Sequence, residues 1–323
     1  MIKQHILPSK LSDRFQQGVN LIEIMVAMTI GLFLVLGATT LYINTKKTSD
    51  VDDTAARLQE TARYAMSIME ADVRMASYWG FNSSSSGFVN KNARTTIGAS
   101  NSSNYCGADY ATDVNKYIEA TNTGYLSHNG SILTCPAKDN TASTTADSLT
   151  VRRVIATDIP STPDGNKIQV CSTRGALTLI KSSSATCTNG EIRDLITNGY
   201  YINQHSDQDN STPSLRRQTL SSGPSFIDTE IITGVEDMQI ELGWDNGTGP
   251  SDTPSVVRYV SPNDLPTTGR IVSVRVWLLV RSDKQDMSFT DDRTYSYADR
   301  SNYAPNDHFR RILIAKTIFI RNA

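Results

Sequence analysis

The chain has 323 residues, with 31 basic and 33 acidic side chains and a formal charge of −2. That near-balance excludes a chain built as a whole to hold nucleic acid or anionic lipid, and a chain of this length suits one large domain or two modest ones. Aromatic residues make up only 7%, and the middle of the chain is rich in Ser, Thr and Asn, the composition of solvated loops with the core elsewhere.

The first element is an apolar run. From Val19 to Ile43 there are 25 residues with one charged side chain, Glu23, and a spanning helix needs about 20. The leader before it, Met1–Gly18, holds Lys3, Lys10 and Arg14 against Asp13. Such a basic flank is expected to stay cytoplasmic, with everything after Ile43 on the far side. An ordinary secretory signal is cut after its apolar region at an A-x-A-like site, and "GATTLYINTKKTSD" has none. Glu23 is the costly residue of the run. A carboxylate in an apolar layer needs a partner, or it must snorkel to the headgroups from its place near the helix end.

After Lys46-Lys47, which suit a membrane boundary, Ser49 or Asp50 can start an amphipathic pattern. Val51, Ala55, Leu58, Ala62, Ala65, Met69 and Ala76 recur at spacings of three, four and seven, which places small apolar residues on one face of a helix. No proline interrupts Val19 to Tyr78, so one nearly continuous helix of roughly 85–90 Å is predicted at 1.5 Å per residue.

Asn82 to Asp147 reads as turn-forming and flexible, with "NSSSSG", "ASNSSNYCG" and "TASTTADS". It is expected to form solvated insertion loops; the alternative is a surface that touches a partner. From Ser148 the pattern turns to strands. "SLTVRRVIA", "KIQVCS" and "ALTLIK" are short β-favouring runs. In "GVEDMQIELGWD", Met238, Ile240 and Leu242 alternate. "RIVSVRVWLLVRS" puts Val272, Val274, Val276, Leu278 and Val280 on one face and Ser273, Arg275, Trp277 and Arg281 on a wetter one. "HFRRILIAKTIFIRNA" sets Ile312, Ile314, Ile318 and Ile320 together. A long helix followed by antiparallel strands is an α+β chain.

Four cysteines, Cys106, Cys135, Cys171 and Cys187, lie beyond the apolar run, where the topology places an oxidising compartment. They allow three pairings, of which the sequence neighbours, Cys106–Cys135 and Cys171–Cys187, are the simplest. Zinc would ask for close ligand pairs such as C-x-x-C, and the sequence has none. The histidines are scattered, and no metalloprotease, nucleophile-elbow or phosphate-loop pattern occurs. "WDNGTGPSD", Asp245 to Asp252, has oxygen ligands that could hold calcium but lacks the D-x-D-x-D-G spacing; "DNG" is also a common turn. No metal or cofactor is expected. Asp291 and Asp292 are expected in a solvated loop. "LRRQ" and "FRRILIAK" give only small basic spots, so no nucleic-acid partner is expected.

The basic leader ending in Gly18, followed by "VNLIEIMVAMTIGLFLVLGA", resembles a class III prepilin signal. The resemblance implies that prepilin peptidase cuts between Gly18 and Val19 and N-methylates Val19. Glu23 becomes the fifth mature residue, the assembly residue that pairs with a free N-terminal amine of its own chain or a neighbour. Val19 and Asn20 depart from the usual Phe and Thr. Further on, "ARLQETARYAMSIMEADVRMASYWGF" is similar to the PilW family of minor type IV pilins, through Ala56, Arg57, Leu58, Gln59, Asp72, Arg74, Met75, Ala76, Trp79 and Gly80. "GVEDMQIELG", "RIVSVRVWLLVRS" and "RRILIAKTIFIRN" extend it to the tail. That family is related to the J minor pseudopilin of type II secretion.

The resemblance implies a type IV pilin-like fold, a long helix packed on an antiparallel head with long loops. The expected parts are a cleaved leader at 1–18, a transmembrane and polymerisation helix at 19–45, an amphipathic half at 46–80, a polar insertion at 81–147 and a β-rich head at 148–323. It implies a non-enzymatic subunit, single-pass in the inner membrane with a periplasmic head and afterwards in the pilus, at its tip. Its partners would be the prepilin peptidase, other minor pilins, the major pilin, membrane lipid and the assembly platform. Twitching motility, adhesion and DNA uptake are processes such pili serve. A minor pseudopilin of type II secretion, or a tip adhesin binding through residues 82–147, are the alternatives.

Overall fold

The computed structural model describes residues 18, 20–82, 106, 109–157, 159–223, 225–247 and 255–323. Val19, the leader before Gly18, most of the Ser/Asn-rich stretch up to 105, and the part of Asp245–Asp252 beyond Gly247 lie outside the described residues. By internal contacts the chain divides into residues 1–53 and 54–323. One helix, α1, Leu21–Arg74, has residues in both.

In the first unit α1 is long and apolar enough to cross a membrane, and its large side chains are exposed, Leu21 at 71% and Phe33 at 75%. Its hydroxyls are satisfied within the helix. Thr29 donates to Val26 O at 2.8 Å, Thr39 to Val35 O at 2.8 Å and Thr40 to Leu36 O at 2.9 Å. A hydroxyl that bonds back to its own helix can sit in hydrocarbon without an orphaned donor.

In the second unit α1 buries Leu58, Ala62, Ala65, Met66, Met69, Asp72 and Val73. This is the face the spacing predicts, except that Ala55 is exposed. The helix also stops earlier than the absence of proline suggests, at Arg74. There the chain is captured by strand β4, Ser148–Val154: Ser77 N–H donates to Arg152 O at 3.3 Å and Val154 N–H to Tyr78 O at 2.9 Å. Ser77 turns through φ 61° to reach that pairing.

Two antiparallel sheets make the head. In the first, β1 (Ile118–Thr121), β4, β7 (Glu191–Asn203), β5 (Gln169–Ser172) and β6 (Leu177–Ile180) follow in order, and β8 (Ser214–Leu220) and β9 (Phe226–Thr233) extend from β7. The second runs β11 (Arg258–Val260), β10 (Val235–Asp245), β12 (Arg270–Arg281), β15 (Arg311–Phe319). Its inner face carries Met238, Ile240, Leu242, Val274, Val276, Leu278 and Val280, all buried in one core with Leu58, Ala62, Ala65 and Met69 of the helix. Small helix residues let the two backbones approach closely while the sheet supplies the bulk. Ile318 and Ile320 join the same core, and Ile312 and Ile314 pack against it.

The outer face of β12 is drier than its alternating sequence suggests. A hairpin of β13 (Tyr295–Tyr297) and β14 (Arg300–Tyr303) lays Tyr295 and Tyr297 over Leu279, with Trp277, Tyr303 and Leu313 packed around them. The stretch read as loops also contributes to the head. It supplies β1 and the small hairpin β2 (Ser127–His128)–β3 (Ser131–Ile132). It adds a core cluster of Tyr110, Leu126 and Leu133 on Tyr201. A Cβ at Gly199 of β7 would come within 2.5 Å of Tyr110 Oη and 2.6 Å of Leu126, so only glycine lets this segment lie on the sheet. Both disulfides join sequence neighbours: Cys106–Cys135 with Cα atoms 4.5 Å apart, and Cys171–Cys187 at 5.6 Å.

Candidate functional site

Two regions concentrate the residues singled out in the sequence: the start of α1, and the place where α1 enters the head. At the start, Gly18, Asn20 and Glu23 are exposed. Asn20 O accepts hydrogen bonds from Glu23 N–H at 2.9 Å and Ile24 N–H at 3.2 Å, so Asn20 caps the helix and Glu23 lies in its first turn. A carboxylate there meets the positive end of the helix dipole. Among the described residues, the Glu23 side chain has no hydrogen-bond or ion-pair partner.

The second region is built on Asp72, a buried carboxylate of α1. Arg153 of β4 donates to Oδ1 from Nη2 at 2.7 Å and Nε at 3.1 Å. Asn198 Nδ2 and Tyr200 Oη of β7 both donate to Oδ2 at 2.5 Å. Four donors satisfy one carboxylate, which is what a buried charge requires. Burial, followed by the neighbouring Asp72 charge, raises the pKa of Tyr200 well above that of a free phenol, so it donates throughout the physiological range. Just before it in α1, Glu70 accepts from Lys316 of β15 at 2.6 Å and from Arg74 at 3.2 Å. The Lys316 hydrogen bond holds its carboxyl below the usual range. Arg321 N–H then donates to Arg74 O at 3.1 Å. The helix is thus tied to both sheets by charged contacts around an apolar core.

Trp79 and Gly80 close this junction. Trp79 is fully buried among Val170, Leu177, Leu179 and Leu195. Gly80 has φ 86°, and a Cβ there would collide with Glu191 Oε1 and lie 3.0 Å from Ser172 Oγ. The tryptophan anchors the chain under β5 and β6, and the glycine gives it the turn and the clearance to leave. Asp72, Trp79 and Gly80, noticeable in the sequence only through a resemblance, therefore each have a physical reason here.

Two further charged clusters are not legible in the sequence. Glu119 of β1 accepts from Arg152 Nη2 at 3.0 Å and Lys116 Nζ at 3.2 Å and contacts His128 Nδ1 at 2.8 Å. Burial works against the Glu119 charge, but those three partners together hold its carboxyl at about 2. The buried Arg311 guanidinium meets Glu236 at 2.6 Å, Asp307 at 2.6 Å and Asp291 at 3.4 Å. Asp291 is therefore not a solvated loop residue: Tyr295 Oη and Arg293 Nε also donate to it, at 2.8 and 2.7 Å, while Asp292 is exposed. Both clusters bring in residues distant in sequence, so no local spacing announces them. Asp245 is satisfied by Gly247 N–H at 3.0 Å and Arg270 Nε at 3.1 Å. Among the described residues no three His, Cys, Asp or Glu side chains converge as a metal site would need.

A long apolar helix running into a head of antiparallel sheets is a type IV pilin-like architecture. Residues 199–322, a little more than a third of the chain, match the family PilW, described as type IV pilus-assembly protein W. That segment, which includes β10, β12 and β15, is similar to the PilW family. A solved type IV-like pilin from Thermus thermophilus is 14% identical over 56% of this chain and 82% of its own, with a TM-score of 0.29. That score is too low for the likeness to add to the fold described above. No curated protein matches the chain.

Proposed function

We propose that this chain is a minor type IV pilin that primes pilus assembly and takes a place at the pilus tip. The observation that carries the reading is the match of residues 199–322 to a pilus-assembly family in a chain whose first helix keeps its apolar side chains uncovered over more than 20 residues. In this reading prepilin peptidase removes the leader after Gly18, and the new amine of Val19 is methylated. Before assembly α1 holds the protein in the inner membrane with the head in the periplasm, and then it enters the fibre core. The Glu23 carboxylate meets an N-terminal amine there, since an unpaired charge in an apolar layer is expensive. The head needs no reaction chemistry for this work; it presents its surface to other minor pilins, the major pilin and the assembly platform.

The test is a count of surface pili in a deletion strain. Loss of pili, restored by the wild-type chain and not by Glu23→Ala, supports priming with Glu23 as its working residue. Undiminished pili without the protein overturn priming, and a secretion defect in the same strain moves the chain to the pseudopilins.

A further inference from the structure

A cleft of about 900 Å³ opens in the head between β1, with the residues leading into it, and the segment from Pro262 to Ile271 that joins β11 to β12. Its volume lies within the range of sites that enclose a small ligand. Its apolar surface includes Tyr117, Trp244 and Leu265. Both rings have committed their polar atoms elsewhere: Tyr117 Oη donates to Ile271 O at 2.7 Å, and Trp244 Nε1 to Thr268 O at 2.7 Å. What they present to a ligand is ring carbon.

The cations on the walls are already paired, Lys116 with Glu119 at 3.2 Å and Arg270 with Asp245 at 3.1 Å. A charged ligand finds no uncompensated counter-charge in these side chains. The uncommitted polar side chains are the Thr267 hydroxyl and three amides. Asn115, Asn263 and Asn322 line the cleft and make no side-chain hydrogen bond among the described residues. An amide sets a donor beside an acceptor, the pair that adjacent hydroxyls of a pyranose ring can satisfy together, while the C–H faces of the ring pack on aromatic carbon. An added peptide strand fits less well. The short 3-10 turn Pro262–Asp264 lies against β1, Asn122 Nδ2 bridges to Ser261 Oγ at 3.1 Å, and Pro262 and Pro266 on the facing wall have no N–H to give.

We propose that this cleft binds a neutral, pyranose-containing oligosaccharide. The proposal goes beyond the assembly reading and does not depend on it, because binding is measured on the isolated chain. The full-length protein in lipid nanodiscs is titrated with maltohexaose, cellohexaose and chitohexaose, with polygalacturonate as the acidic counterpart and tetraglycine as the peptide. Saturation-transfer NMR reports binding. At least one neutral sugar is expected to bind saturably, and Asn115→Ala and Asn263→Ala each weaken it by about fivefold, the size of one lost neutral hydrogen bond. Both side chains are exposed, so neither change threatens folding, and Gln208→Ala, an exposed change outside the cleft, leaves binding unaltered. Failure of all three neutral sugars to bind overturns the proposal. So does binding that survives the double variant, or preferential binding of polygalacturonate or tetraglycine.

Discussion

Asp72 on α1 and Arg153 on β4 lie 81 residues apart in sequence and meet through two hydrogen bonds to a single carboxylate oxygen, at 2.7 and 3.1 Å. The other oxygen takes Asn198 and Tyr200. Removing this carboxylate leaves three donor side chains without their acceptor. Asp72→Ala is expected to destabilise the folded head by about 3–5 kcal/mol, the cost of breaking a buried pair from one side. Urea unfolding followed by near-ultraviolet circular dichroism measures it; a loss below about 1 kcal/mol would show the hub to be replaceable by water.

The Glu119 cluster sets an acid limit. Its folded-state value is depressed to about 2 from an ordinary 4.5, so its contribution is complete above about 4.5 and is lost as pH falls towards 2. Over that window the wild type should lose about 3 kcal/mol more than Glu119→Gln. Parallel loss in the two proteins, in urea midpoints measured at stepped pH, would remove Glu119 as the source.

Asp147 acts with the opposite sign. It is buried and accepts backbone N–H groups of Thr123 at 3.0 Å and Ile240 at 2.8 Å. Burial nevertheless pushes its carboxyl up to about 7 from 3.8. A raised carboxyl favours the protonated folded state, so this group lowers stability progressively as pH rises from about 4 to 7. Asp147→Asn should flatten that part of the stability–pH curve, even though it gives up one of the two acceptors. An unchanged slope would contradict the assignment.

The two disulfides close loops with sequence separations of 29 and 16. Replacing each pair by serine is expected to cost about 3.6 and about 3 kcal/mol respectively in the chain-entropy account. Thermal unfolding with and without reductant checks both, because a reduced wild type should match the four-serine variant.

Gly80→Ala brings a methyl group into Glu191 and Ser172 at a positive φ. A loss of about 1–3 kcal/mol is expected. Glu191→Ala in the same background should recover the part due to the Glu191 collision and leave the part due to Ser172 and to backbone strain, a separation that double-mutant thermodynamics reads directly.

Periodicity makes the regular elements legible in the sequence. The apolar residues at 58, 62, 65 and 69 predict the buried face of α1, and alternation from 274 to 280 predicts the inner face of β12. At the start of β12, Ile271 joins that core in place of Val272, where the pairing with β10 shifts register. Ala55 shows where periodicity fails: a helix face is buried only as far as a partner reaches, and local spacing does not know where the sheet ends. The helix end escapes it for a related reason, since the capture of Ser77 and Tyr78 by β4 is a long-range event. The core-forming role of Tyr110, Leu126 and Leu133 is hidden by the serine and asparagine around them, and the Arg311 cluster by the distance from Glu236 to Asp307. At the candidate site, Glu23 draws notice because a charge in an apolar run is anomalous on sight. Asp72 sits in a helix where an acidic residue looks ordinary, and only its burial reveals it.

Glu70 and Lys316 are 246 residues apart, and their bond at 2.6 Å has a consequence for biogenesis. The helix emerges early in synthesis, yet β10, β12 and β15, which cover Ala62, Ala65 and Met69, come from positions 235 onward. Until those strands arrive, the apolar face of α1 has only the part of its core that Ile118, Leu149, Val151, Tyr200, Ile202 and Leu215 supply, and the long-range pairings that complete it cannot start. A nascent chain of this kind presents a sticky ribbon for most of its translation, so its yield in a cell depends on how well that interval is chaperoned, and a lesion in β15 would act as a maturation defect before it acted on any finished surface.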